Sequence, residues 1–389
     1  MDGEKQKTRR LIYLASFLLA LEQGFLVYVN SSFLETFIPT QYVGLIYAVA
    51  SLVTIIALAT IPLWLRRYGH AAVSLSFLAL LVLVLLGLAS TKILVLAVAF
   101  FVIREVLQYA MFSNLDLYLE ENTDPNHTAR TRGVYISVTS LAIAITPIVV
   151  GFLVRDNVYS HIYILASIAV TLTLALFAST MRRMPDINYQ KIPFFRGLRD
   201  LWNDLDLRKV FIINCILQLF FAWMIIYVPI YLHQEIGFSW PVLGAMFTVM
   251  LTPYLVLEIP FGILVDKQPS VVRWWLLAAF TLITVTVASM AFYTGSSVVL
   301  WTLILLLGRI GASTIEIMSE SYFSKKVHPE QTTSLEIFRD ARPLAYIAGP
   351  IVASIFLSFY PMQFFFVFVA VVMATGIYVS KKLRSLTDI

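Results

Sequence analysis

The sequence predicts an all-α integral membrane protein whose twelve transmembrane helices form two pseudo-symmetric six-helix bundles. Three observations carry this reading. First, 59% of the 389 residues are hydrophobic and 13% are charged, with a mean hydropathy of +0.83. A water-soluble domain carries about 25% charged residues, so this chain lacks the polar surface to cover a soluble core. Second, the apolar runs reach about 20 residues, the length that crosses a bilayer as a helix. The alternating ~10-residue segments of a membrane barrel are absent, and helices satisfy their own backbone hydrogen bonds in lipid. Third, the two halves of the sequence resemble one another.

Taken in order, the predicted spans are 11–36, 41–63, 71–90, 93–119, 132–154, 160–181, 209–233, 241–264, 272–293, 297–322, 334–357 and 361–381. The first follows the basic segment MDGEKQKTRR. Its apolar part is too long for a signal peptide, is interrupted by Glu22 and has no clear small-residue cleavage site, so it is expected to stay as the first helix. The second runs into the basic pair Arg66 and Arg67. The third is a bare apolar run, and the fourth carries Arg104 and Glu105. Arg130 and Arg132 stand at the entry to the fifth, which contains Pro147, and the sixth closes the first half. The seventh carries Asn214, Gln218 and Trp223; the eighth carries Glu258 and ends in GILVDK. The ninth is apolar beyond Arg273 at its start, and the tenth holds Arg309, Ser313 and Glu316. Glu336, Arg339, Asp340 and Arg342 open the eleventh, and the twelfth runs to Lys381 and Lys382.

The segment 182–208 separates the halves. Phe194, Leu198, Leu201 and Leu205 recur there at helical spacing with charges opposite, which predicts an amphipathic linker helix on the membrane face. The expected domains are therefore 1–181, a linker over 182–208, and 209–389. Lys and Arg crowd into the segments that share a side with the N-terminus, whereas the opposite loops hold Lys92 and Arg155. That asymmetry predicts both termini in the cytoplasm, of a plasma or inner membrane. It also accounts for the net charge of +5 through contact with anionic lipid, without nucleic acid. One cysteine, Cys215, excludes an intrachain disulfide, and the five histidines form no metal-ligand spacing. No phosphate-binding loop and no nucleophile–base pair is evident, so neither an enzyme nor a cofactor is expected. A monomer is the expected state.

The repeat is seen where NLDLYLEENTDPNHT (114–128) is laid on MSESYFSKKVHPEQT (318–332). Asp116 falls on Glu320, Tyr118 on Tyr322, Pro125 on Pro329 and Thr128 on Thr332, each 204 positions apart. Parallel repeats of six spans build the two halves of many transporters. Twelve spans, a middle linker and GILVDK after span eight together resemble the major facilitator superfamily. Gly262, Leu264, Asp266 and Lys267 match that family's G-x-L-x-D-[RK] motif, while the first-half counterpart PLWLRRYGH is degenerate, with Trp64 and Tyr68 in place of Gly and Asp. The resemblance implies that spans one, four, seven and ten line a central cavity and that the motif closes one side. On that basis Gly262 is expected to let helices approach closely, and Asp266 to meet Arg130 and Arg132 in a conformational latch. The degenerate loop implies a second latch of reversed polarity, Arg66 or Arg67 against Glu336 or Asp340.

An ionisable group at mid-bilayer costs at least ~2.5–3.5 kcal/mol on insertion scales, so it is expected to face a cavity or a partner. Glu22, Arg104, Glu105, Glu258, Arg309 and Glu316 are such groups. Four carboxylates against two arginines leave an excess of acid, and an unpaired carboxylate at such depth is a candidate for proton exchange. Glu105, Gln108, Phe112 and Asp116 share one helical stripe; Arg309, Ser313, Glu316 and Glu320 share another. With Asn30, Asn214, Gln218 and Trp223, these residues form the expected coupling and substrate site. An ion pair of Arg104 with Glu22 or Glu105 is the structural alternative. The favoured reading is a secondary transporter of a small organic solute, coupled to protons and working as an antiporter. A uniporter or symporter of a sugar or organic acid, with Arg104 and Arg309 as anion contacts, and a non-transporting receptor of the same fold stay open.

Overall fold

The structure, a computed structural model, describes residues 2–123, 128–155, 157–179, 199, 201–327, 337–338 and 341–384. Among the described residues the elements are helical, with one isolated bridge between Arg155 and Val158. The chain divides into two compact units, Met1–Gln190 and Lys191–Ile389, Leu243–Ala245 aside.

The first unit contains α1 (Asp2–Val27), α2 (Asn30–Glu35), α3 (Thr40–Tyr68), α4 (His70–Ser90), α5 (Leu94–Glu121), α6 (Thr128–Leu153) and α7 (Ser160–Ser179). The second contains α8 (Leu205–Ile230), α9 (Trp240–Val256), α10 (Glu258–Lys267), α11 (Val272–Phe292), α12 (Val298–Lys326), α13 (Ala341–Leu357) and α14 (Met362–Lys381). Eleven helical stretches among the described residues are long and apolar enough to cross a membrane, and Ala341–Leu357 is a shorter apolar helix of 17 residues. These helices are apolar on every side. In α4, Leu78, Leu81, Leu85 and Leu88 are buried, while Leu80, Leu83 and Leu86 on the other faces are exposed. A water-soluble helix would carry polar groups on that outer face; a helix in lipid does not.

The repeat read from the sequence reappears in the packing. In the first unit α1 packs on α5, α6 and α7, α4 packs on α5 and α7, and α3 packs on α5. In the second, α8 packs on α12, α13 and α14, α11 packs on α12 and α14, and α10 packs on α12. Numbered as spans, each of these pairings in one unit has its counterpart six spans later in the other. Close approaches rest on small residues. A Cβ placed on Gly24 of α1 would collide with Thr146 of α6, and one on Gly376 of α14 would collide with the ring of Phe280 on α11.

Two predicted spans are not single helices. Span one breaks at Tyr28–Val29, and its outer turn is the short helix α2. The sequence Asn30-Ser31-Ser32 follows the break, and such short polar side chains compete for backbone groups and weaken helix continuity. Span eight was expected to end near residue 264. It breaks instead at Leu257 and resumes as α10 to Lys267. Pro260 explains the site of the break: its nitrogen has no proton for the carbonyl four residues back, and its ring crowds that carbonyl. Pro229 precedes a π-helical turn, Tyr231–Glu235, at the end of span seven, closed by Ile236 N–H to Tyr231 O at 3.1 Å. The amphipathic linker lies almost wholly outside the described residues. At its end, Asp204 caps α8 by accepting from the N–H groups of Asp206 (2.8 Å) and Leu207 (3.0 Å).

Candidate functional site

Among the described residues, each unit holds a charged cluster inside its spans. In the first unit the cluster is built on α1 and α5. Glu22 is fully buried and Arg104 is 2% exposed. Arg104 donates from Nε to Glu22 Oε1 at 2.8 Å and from Nη1 to Glu105 Oε1. One guanidinium therefore serves two carboxylates, and the ion pairs foreseen as alternatives both form. Three polar atoms at this cluster are buried without a hydrogen bond: Glu22 Oε2, Arg104 Nη2 and Gln108 Nε2. Gln108 lies one turn from Arg104 on α5, so the unpartnered groups fall on one side of the helix. Asn30, at the start of α2, accepts a hydrogen bond from the Tyr163 hydroxyl of α7 at 2.9 Å. This ties the broken span one to span six beside the cluster. Nothing local in the sequence marks Tyr163, because its partner stands 133 residues away.

In the second unit the cluster is built on α8, α9 and α12. The guanidinium of Arg309 lies over the ring of Tyr254 at 3.9 Å and over the ring of Phe221 at 4.9 Å. Arg309 enters none of the ion pairs found among the described residues, and its Nε is buried without a hydrogen bond. Glu316, two turns along the same face, takes a hydrogen bond from Tyr254, and its Oε2 has no partner. Arg309, Glu320 and Arg342 also act electrostatically on Glu316. Ser313, between Arg309 and Glu316 on the stripe, is buried. Tyr254 and Phe221 were not read from the sequence as site residues. A stripe analysis of one helix carries no information about which aromatic rings a second helix brings to it.

Other expected site residues have different work. Asn214 donates to the Phe338 carbonyl at 2.6 Å and accepts from Gln218 at 3.2 Å. Trp223 donates to the Gly349 carbonyl at 2.7 Å and packs edge-on against Phe365 and Phe368. Asn214 and Trp223 thus join span seven to the eleventh and twelfth, and Gln218 braces Asn214 within span seven. Glu258 opens α10, half-buried, with Glu320 as a like-charged neighbour.

Of the latch residues, Asp266 pairs with Lys325 at 2.9 Å, while Lys267 is exposed at the end of α10. Arg132 pairs with Asp116 at 3.2 Å, and Arg67 lies over the ring of Tyr68. Both Asp266 and Arg132 thus have a partner within their own unit. Glu336 and Asp340 lie outside the described residues, as do the side chains of Arg66 and Arg130. The reading of Gly262 as a site of close helix approach is corrected: a Cβ there would meet nothing within 4 Å. The closer use of a charge pair is at Lys326, which holds the buried Asp206 at 2.8 Å together with Lys209 at 2.9 Å. That link fastens the start of span seven to the end of span ten.

The comparisons with known proteins agree with this architecture. The family model for the Major Facilitator Superfamily matches residues 12–336. A bacterial homolog of the human lysosomal transporter Spinster, solved in an inward-facing and unoccupied conformation, superposes with a TM-score of 0.76 at 11% identity, covering 97% of both chains. The nucleoside transporter NupG superposes with a TM-score of 0.76 at 12% identity, covering 97% of this chain and 100% of that one. No curated protein matches the sequence. At such identities the structures speak for the fold alone. The family model spans most of the chain, and with the paired six-span units it establishes that this chain belongs to the Major Facilitator Superfamily, as a secondary transporter of small solutes.

Proposed function

We propose that the chain is an alternating-access transporter that exchanges a small organic solute for protons, with Glu22 as the proton-exchanging group. One observation carries this: a single buried guanidinium, Arg104, faces two carboxylates, Glu22 and Glu105. With all three groups ionised the cluster keeps one uncompensated negative charge. One proton cancels it, and the unpartnered Oε2 of Glu22 has room on the carboxylate to take that proton. Protonation weakens the hold of Glu22 on Arg104 and leaves the guanidinium to Glu105. A proton is thereby linked to how span one is fastened to span four. Excess carboxylate over guanidinium in the spans favours exchange over co-transport. The Lys and Arg asymmetry supports cytoplasmic termini in a plasma or inner membrane.

The test uses purified protein in proteoliposomes with a pH-sensitive dye inside. Lipophilic cations, sugars, organic acids and amino acids are added singly. A solute-dependent change of luminal pH that disappears in Glu22→Gln supports the reading. Solute uptake with no pH change in the native protein rejects proton coupling.

A further inference from the structure

The second unit's cluster differs from the first in a way that bears on the solute. Arg104 is consumed by two carboxylates, whereas Arg309 has no ion-pair partner among the described residues. The Arg309 guanidinium instead lies over the rings of Tyr254 at 3.9 Å and Phe221 at 4.9 Å. Ring faces attract a guanidinium through its plane. They supply no carboxylate to its N–H groups, whose planar fork can take one with two parallel hydrogen bonds. Its Nε–H is buried and has no acceptor. At 1.5 Å per residue, Glu316 lies roughly 10 Å further along α12. Its Oε2 is likewise buried and unpartnered. The two opposite charges form no ion pair, although Arg309 acts electrostatically on Glu316, and Tyr254 contacts both: its ring lies under Arg309 and its hydroxyl reaches Glu316.

We propose that the solute is a compact zwitterion of the amino-acid class, its carboxylate taken by Arg309 and its ammonium by Glu316, with the Ser313 hydroxyl between them. This deepens the transporter reading and rests on it only in taking the cluster as a solute site. A sugar would leave both charges unmatched. A simple cation would leave the open guanidinium facing it, and a simple anion would face Glu316.

The test is thermal unfolding of the purified full chain in detergent with each standard L-amino acid, β-alanine and γ-aminobutyrate at millimolar concentration. At least one of these raises the melting temperature. Its methyl ester keeps only the ammonium, and its N-acetyl derivative keeps only the carboxylate. Each binds about tenfold or more weakly than the parent, because it leaves a protein charge without its partner. Glu316→Gln is expected to lose the discrimination against the N-acetyl form, and Arg309→Met the discrimination against the methyl ester. A folding defect cannot change preference in opposite directions in two variants. The proposal is overturned if no zwitterion raises the melting temperature, if the derivatives bind as well as the parent, or if both variants keep the native preference. Proton coupling is read separately. A bound zwitterion that moves without changing luminal pH upholds this inference and rejects the proton reading. A pH change driven only by neutral or purely cationic solutes does the reverse.

Discussion

Replacing Arg104 by Leu removes the one positive charge between Glu22 and Glu105. The native contacts are a charge-assisted hydrogen bond of 2.8 Å to Glu22 and a second contact to Glu105. Hydrogen bonds to charged groups contribute about 1.5–3 kcal/mol each, so two of them represent roughly 3–6 kcal/mol. Breaking a buried pair by removing one partner costs about 3–5 kcal/mol, which agrees. Glu22→Gln is a far milder change. It keeps the side-chain volume and an oxygen that can accept from Arg104 Nε, and Glu105 remains to balance the guanidinium, so about 1–2 kcal/mol is expected. For a cooperative unit near 200 residues, each kcal/mol moves the melting temperature by about 2–4 °C. Arg104→Leu should therefore melt roughly 6–24 °C below the native protein, and Glu22→Gln roughly 2–8 °C below it. The double variant should lose less than the sum of the two singles, since Arg104→Leu no longer strands a charge at position 22. The assay is thermal unfolding of the four proteins in one detergent. Equal losses for the two single variants, or strict additivity in the double, would refute the picture of two carboxylates competing for one guanidinium.

Three further outcomes follow from the same geometry and are read by the same melts. Lys326→Met strips one of two ammonium partners from the buried Asp206 and should cost about 1–3 kcal/mol, whereas Lys267→Met at an exposed helix end should change little. Trp223→Phe keeps an aromatic ring against Phe365 but loses the 2.7 Å hydrogen bond to the Gly349 carbonyl, for about 1–2 kcal/mol. Gly376→Ala pushes a methyl group into the ring of Phe280 and should cost about 1–3 kcal/mol, part of which returns when Phe280 is shortened to Leu. A neutral Gly376→Ala would mean that α11 and α14 do not approach as closely as described.

Much of this was legible in the residues, and the reasons differ from element to element. Span positions follow from hydropathy alone, because lipid demands about 20 apolar residues wherever a helix crosses. The match of Asp116 with Glu320 and Pro125 with Pro329 foretold the equivalent packing of the two units. Glu22, Arg104 and Glu105 stood out because a charge in an apolar run needs a partner, and the structure supplies each with one. The breaks were less visible. Pro260 stands in the sequence, but hydropathy passes straight across it, and the interruption after Tyr28 has neither Gly nor Pro to mark it. Asn214 and Trp223 share a helix with no charged neighbour, and a stripe cannot say whether its polar groups face a solute or the backbone of another span. The pairing of Arg309 with Tyr254 and Phe221 joins residues 55 and 88 positions apart, beyond any periodicity. Asp266 carried the family motif, and its ion pair with Lys325 of span ten joins residues that the motif does not mention.

The most direct measurement of the central claim compares two fluxes in Glu22→Gln proteoliposomes: exchange of labelled solute across the membrane, and proton movement driven by a solute gradient. If Glu22 is the proton-exchanging group, the variant retains exchange and loses the proton flux. Loss of neither flux, or a proton flux that persists at the native ratio to solute, would contradict it.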